Sequence, residues 1–238
     1  MRDIIAIMKK EFRSYFDSPI AYIFSSVFLV LSGWLFYKNF FLANYASLRI
    51  LFDLMPWLFL FFVPAVTMRL WSEEKKLGTM ELLMTLPLKD SDVVLGKFLA
   101  SFLFLSITAL LTFPLVISTF ALGNPDLGPI IGGYLGAILM GGAYLSIGMF
   151  ASSLTENQII SFILGVVLCF TLLIIGENFV LSTMPVSIVP LLKYLSLGAH
   201  FDSIGRGVID TRDLIYYLSI ISFFLFLNTR SLASRSWR

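Results

Sequence analysis

Arg69-Leu-Trp-Ser-Glu-Glu-Lys-Lys-Leu-Gly-Thr-Met-Glu-Leu-Leu-Met-Thr-Leu-Pro-Leu-Lys-Asp-Ser-Asp-Val-Val-Leu-Gly-Lys97 lies between two strongly apolar stretches. Apolar runs on either side read as membrane, and this segment does not. It divides into a charged approach (Glu73, Glu74, Lys75, Lys76), a hinge at Gly78, and a short helix from about Thr79 to Leu86 that Pro87 stops. At ~100° per residue, Met80, Leu82, Leu83, Met84 and Leu86 spread round most of that helix and leave Glu81 and Thr85 as a narrow polar strip. Such a helix needs an apolar partner, which either a protein groove or the bilayer surface supplies.

The chain of 238 residues is 58% hydrophobic and 13% charged, with a mean hydropathy of +0.89. Soluble domains carry roughly 25% charge, so these values describe an integral membrane protein. No polar stretch is long enough to hold a separate core, and residues 1–238 read as a single transmembrane domain. A net charge of +2 from dispersed basic residues argues against a nucleic-acid partner. Cys169 stands alone in an apolar run and reads as a small buried hydrophobe, with neither a disulfide framework nor a metal cluster expected.

Residues 1–16 do not read as a cleavable signal, because Arg2, Asp3, Lys9, Lys10, Glu11 and Arg13 are mixed among the apolar positions. On a helical wheel Ile4, Ile5, Met8, Phe12, Tyr15 and Phe16 fall on one side, with Asp3, Lys9, Lys10 and Arg13 opposite. That pattern predicts an amphipathic helix lying in the membrane interface; an amphipathic helix packed on its own protein is the other reading.

Six transmembrane helices follow from runs of ~20 apolar residues. They occupy 19–42, 51–70, 93–122, 128–154, 157–177 and 213–231, with the cytosolic segment at 71–92. Pro56 and Pro64 predict a kinked second span. Residues 178–211, with Pro185 and Pro190, are short for a crossing and read as a re-entrant outer element that dips into the outer membrane face, a seventh crossing being the competing reading. With both termini cytoplasmic, Arg2, Lys9, Lys10, Arg13, Arg69, Lys75, Lys76, Lys89, Lys97, Arg230, Arg235 and Arg238 lie inside, against Lys38, Arg49, Lys193, Arg206 and Arg212 outside. That bias of twelve to five orients the chain.

Chemistry of its own is not expected. Gly96-Lys97 is followed by Phe98 and has Ser91 where a phosphate loop needs its first glycine, so the chain is read as lacking a nucleotide-binding loop and as no enzyme. The glycines from Gly132 to Gly148 read as small residues for close helix packing. His200 is the only histidine, which rules out a His-Glu-x-x-His zinc site. A triad would need His200 with Asp202 or Asp210, without a nucleophile elbow, so an interfacial or hydrogen-bonded histidine is the stronger reading. Glu177 and Asn178 sit where the fifth span yields to the outer element; with Arg206 and Asp210 they are outer-gate candidates. Arg206, Asp210, Arg212 and Asp213 are also charges available to an outer-face partner.

Pro64-Ala-Val-Thr-Met-Arg69, Glu73-Glu-Lys-Lys-Leu-Gly-Thr-Met-Glu-Leu-Leu-Met-Thr-Leu-Pro87 and Val94-Leu-Gly-Lys97 resemble the coupling region of type-2 ATP-binding cassette transporter permeases, and the resemblance covers essentially the whole chain. Ser18-Pro-Ile-Ala-Tyr22, Ile147-Gly-Met-Phe-Ala-Ser-Ser-Leu-Thr-Glu-Asn-Gln158 and His200-Phe-Asp-Ser-Ile-Gly-Arg-Gly-Val-Ile-Asp-Thr-Arg-Asp213 resemble the gliding-motility-associated permease subgroup.

The resemblance implies two permease chains, the same or different, side by side in a bacterial inner membrane above two cytosolic P-loop ATPase subunits. ATP and Mg would be bound by those partners and no cofactor by this chain. Gly78, Thr79, Met80, Glu81, Leu82, Leu83 and Met84 would form the helix docking on the ATPase, with Glu73 and Glu74 on its approach. Export is the implied direction. A mechanical or anchoring component, driving an outer-face partner without moving a solute, is the alternative.

Overall fold

A computed structural model of the protein describes residues 2–43, 47–85 and 87–233. Every regular element among them is a helix. Residues Arg2–Asp17 form α1, and Ser18 separates it from α2 (Pro19–Ala43), which starts on the proline that suits a first helical turn. Helix α3 (Arg49–Thr67) carries Pro56 and Pro64 inside it and runs through Met68 into α4 (Arg69–Lys76). After a turn comes the short α5 (Thr79–Met84), then α6 (Asp90–Leu110) and α7 (Phe113–Leu122). Pro114 near the start of α7 accounts for the break between them, since it has no amide to continue the helical ladder. Helix α8 (Leu127–Leu154) is the longest, followed by α9 (Gln158–Ile174), the small helices α10 (Asn178–Leu181), α11 (Val189–Leu195) and α12 (Leu197–Gly205), and α13 (Thr211–Ala233).

Helix α8 is the axis of the fold. It packs against α3, α6, α9, α12 and α13, and its glycines let those neighbours approach closely. A methyl carbon added at Gly133 would lie 2.3 Å from the Phe52 ring, at Gly141 2.4 Å from Leu105, and at Gly148 2.2 Å from Thr67 Oγ1. The pairs Phe52–Gly133 and Thr67–Gly148 keep one offset, so α3 and α8 run parallel. Ser153 of α8 bonds Ser231 of α13, α1 packs on the start of α6, and α4 touches both places through Ser152 and Lys97, which brings α1 and the last turn of α13 to one end of the bundle.

Among the described residues five helical stretches are long and apolar enough to cross a membrane: Pro19–Leu42, Arg49–Lys76, Asp90–Leu122, Leu127–Leu154 and Thr211–Ala233. The stretch expected as the fifth of six spans is a shorter apolar helix, Gln158–Ile174. Gly165 of α9 lies against Gly148 of α8. From that register α9 stops roughly 18 Å short of the level at which α8 begins, at 1.5 Å rise per residue. The end is fixed by close packing: Gly176 sits where a methyl carbon would be 2.2 Å from Ser196 Oγ, and α12 fills the space over Gly132 and Gly136. The segment between α9 and α13 is therefore three short helices, of which α12 packs on α8 and α9 while α11 packs on α10 and α12.

Helix α1 packs along α6, with Ile7, Phe12 and Tyr15 against the core. An alanine at Gly96 would put its methyl 2.7 Å from Ile7, so that glycine sets how closely the two helices approach. Ile5 and Phe16, from the same apolar side of the wheel, remain exposed.

Candidate coupling site

The segment between the second and third apolar stretches is helical from its start. At the α3–α4 junction the hydroxyl of Ser152, on α8, accepts from the amides of Trp71 and Ser72 at 3.1 Å each and donates to the Met68 carbonyl at 3.0 Å. Ser72 Oγ donates to the same carbonyl, and the Lys75 ammonium donates to the Ser153 carbonyl. A side chain from a neighbouring helix inserted at a ladder break is a recognised cause of a helix bend, and here it pins α4 to the end of α8. Gly78, at φ 69°, then ends α4 in the left-handed conformation that glycine adopts without strain, and the chain turns into α5.

A second set of contacts ties α4 to α1 and α6. The Lys97 side chain is 2% exposed, with Nζ 2.7 Å from Glu74 Oε1 and 3.2 Å from Glu11 Oε1. Its ammonium stands over the Trp71 ring at 5.1 Å. An unpaired ammonium at this depth would cost several kcal/mol, of order 3–5, which is why two carboxylates and an aromatic face surround it. Nearby, the Tyr15 hydroxyl bonds Ser101 Oγ at 2.9 Å and its ring stacks on Phe104. Burial pushes the Tyr15 phenol pKa up, keeping it neutral as a hydrogen-bonding group. Arg69 grips Glu73 through two bonds of 2.7 and 3.0 Å.

The description "ABC-2 family transporter protein" belongs to the family model that matches residues 17–229. The chain belongs to the ABC-2 transporter family. A comparison with curated proteins finds no match. Membership makes this chain a multi-pass membrane permease subunit of an ABC transporter, set in a lipid bilayer and implying an ATPase partner.

Within this ABC-2 permease the residues assigned to coupling take different positions. Glu73 is half-buried in its pair with Arg69, and Glu74 turns inward to Lys97. Gly78 forms the turn ahead of α5, and Met80 is 9% exposed and joins the core, so it roots α5 instead of facing outward. Thr79, Glu81 and Thr85 are exposed. Leu82, Leu83 and Met84 belong to α5, but their side chains, and Leu86 entirely, lie outside the described residues. Sequence reasoning passed over Leu77, an apolar side chain 67% exposed at the turn, and the Glu11–Lys97–Glu74 cluster. The available signal was Lys97 itself, a cation seven residues inside a helix that begins at Asp90.

The outer candidates are not brought together. Glu177 stands at the N-cap of α10 without a side-chain capping bond, next to exposed Asn178. Arg206 donates to the Asp202 carbonyl and lines a cavity with Arg49, Asn124 and Asp126, a cavity that none of the other three candidates lines. Asp210 Oδ1 accepts from the Arg212 amide at the start of α13. Asp213 is a correction: it is buried, with Oδ1 2.6 Å from His200 Nδ1, and is not available to an outer partner. His200 Nε2 lies 2.9 Å from the Tyr194 carbonyl and the ring stacks on Tyr216 at 3.9 Å, so it is a hydrogen-bonded interior histidine whose carboxylate is neither Asp202 nor Asp210.

Proposed function

We propose that this ABC-2 permease is an exporter subunit in a bacterial inner membrane, with both termini cytoplasmic and six spans counting α9. In this reading a separate cytosolic P-loop ATPase drives it by docking on the α4–α5 turn. The observation that supports it most is the attachment of that turn: α4 is hydrogen-bonded to α8 through Ser152 and ion-paired to α1 and α6 through Lys97. A push on an element held at both places moves several spans as one body, which is what transmission of ATPase closure requires.

Leu77, Thr79 and Glu81 are among the exposed residues of the turn, an apolar side chain beside polar ones, which suits a groove with a polar rim. Leu82, Leu83 and Met84 complete the docking helix by sequence. No nucleotide loop is read in this chain, so ATP and Mg belong to the partner, in two copies beneath two permeases. The resemblance to the gliding-motility-associated subgroup is part of the same proposal.

Purification in mild detergent should bring down a P-loop ATPase, identified by peptide mass spectrometry. Leu77→Asp with Glu81→Arg should lower both co-purified ATPase and ATP hydrolysis in reconstituted vesicles at least about tenfold, the loss expected of a central interface residue. Wild-type levels of both in the double variant would move the docking surface elsewhere.

The mechanical reading has its support at the connection from α12 to α13, where Arg206 and Arg212 are exposed. A flux assay separates the two, since ATP-dependent movement of a labelled solute counts against a purely mechanical role.

A further inference from the structure

A cavity of about 290 Å³ opens where α1 turns into α2. One wall is apolar, with Ile20, Ala21 and Phe24 from the first turns of a membrane-crossing helix. Another carries Lys10, Ser14 and Ser18, spaced four residues apart and so aligned along one side of α1 and its exit. The Ser18 hydroxyl accepts from the Ile20 amide, which leaves its proton to donate. Such a place, where an apolar helix begins beside an amphipathic one, is at the headgroup level of the bilayer.

The charges round this cavity do not cancel in place. Arg69 and Glu73, both on its wall, neutralise each other. Lys97 faces two carboxylates, Glu11 and Glu74, and so leaves one negative charge uncompensated; Glu74 Oε2 is buried with no hydrogen-bond partner among the described residues. Lys10, an exposed residue of its wall, makes no ion pair among the described residues and leaves one positive charge there. One uncompensated cation flanked by hydroxyls, one uncompensated carboxylate and an apolar wall are the complement of a zwitterionic amphiphile.

We propose that this cavity binds an aminophospholipid of the bilayer. Its phosphate takes Lys10, Ser14 and Ser18, its ammonium takes the Glu11–Glu74 carboxylates, and one acyl chain lies along Ile20, Ala21 and Phe24. A lipid so held bridges α1 to α4. The proposal stands apart from the ATPase reading, since binding is measured without a partner.

The test is lipid retention by the delipidated full chain in detergent, read by native mass spectrometry with phosphatidylethanolamine, phosphatidylglycerol and diacylglycerol as separate probes. Phosphatidylethanolamine should bind at one per chain, and Lys10→Ala with Ser14→Ala should weaken it about tenfold, the scale of losing one charge-assisted hydrogen bond. Lys9→Ala, on the neighbouring exposed position, should leave binding unchanged. Glu74→Gln should remove the preference over phosphatidylglycerol, and melting temperatures should show each variant folded. Free phosphoethanolamine without chains should fail to compete. Equal binding of diacylglycerol, equal binding of the two phospholipids by the wild type, full competition by phosphoethanolamine, or an unchanged Lys10→Ala/Ser14→Ala variant would each overturn the assignment.

Discussion

The Lys97 ammonium lies 2.7 Å from the Glu74 carboxylate, joining the start of the third apolar stretch to the helix that ends the second. Glu11 reaches the same nitrogen from α1. Lys97→Met should cost about 3–5 kcal/mol, because two carboxylates are left close together and half-buried without their cation. Thermal unfolding in detergent checks it. Adding Glu11→Gln and Glu74→Gln to Lys97→Met should recover most of the loss, and costs that simply add would mean the three groups do not act as a unit.

Gly148 is held against Thr67, whose hydroxyl donates to the Val63 and Pro64 carbonyls and cannot rotate away without losing them. Gly148→Ala should therefore destabilise by about 1–3 kcal/mol despite the better helix propensity of alanine. Gly33→Ala, in open space on α2, should be neutral or stabilising by up to ~1 kcal/mol. Combining Gly148→Ala with Thr67→Ala removes the clashing hydroxyl, and its melting temperature should rise above that of Gly148→Ala alone.

These two sites differ in how far the sequence announces them. Apolar runs of membrane length, the glycines of α8, the hinge at Gly78 and the polar character of Glu81 are local properties, and local reading finds them. Glu73 and Glu74 are identical neighbours, yet ~100° of helical rotation sends one to Arg69 on its own helix and the other to Lys97 in the interior. Met80 looked like one apolar residue of a docking helix and is instead its root in the core. Asp210 and Asp213 are three apart, and only the packing of α12 on α13 decides that the second meets His200. Pairings of that kind depend on where distant helices lie, information that spacing along one helix does not contain.

Gly78 has φ 69° and nothing within 4 Å of an added methyl, so substitution there is strained through the backbone alone. The expected order of stability is glycine above asparagine above alanine above valine, because asparagine tolerates left-handed backbone best among the replacements. Alanine should cost about 1 kcal/mol and valine more. ATP hydrolysis by the reconstituted complex should fall in the same order, and a valine variant with wild-type activity would show that the direction of α5 does not matter for coupling.

At the start of α13, three side chains from its first turns reach the α11–α12 segment. Asp213 bonds His200, Tyr216 donates to the Leu195 carbonyl at 2.6 Å, and Tyr217 donates to the Leu197 carbonyl at 2.7 Å. Both nitrogens of His200 face oxygen acceptors, one of them a carbonyl that accepts only, so loss of the carboxylate leaves a buried ring nitrogen unmet. Asp213→Ala should cost about 1–3 kcal/mol for that reason. Asp202→Ala, an exposed carboxylate on α12 itself, should stay within ~0.5 kcal/mol of wild type. Hydrogen exchange resolves where the loss falls: peptides spanning 189–205 should exchange faster in Asp213→Ala, while those from α8 keep their protection. Equal exchange in the two variants would mean that α12 is held by its packing over Gly132 and Gly136 and that the His200–Asp213 bond adds nothing to it.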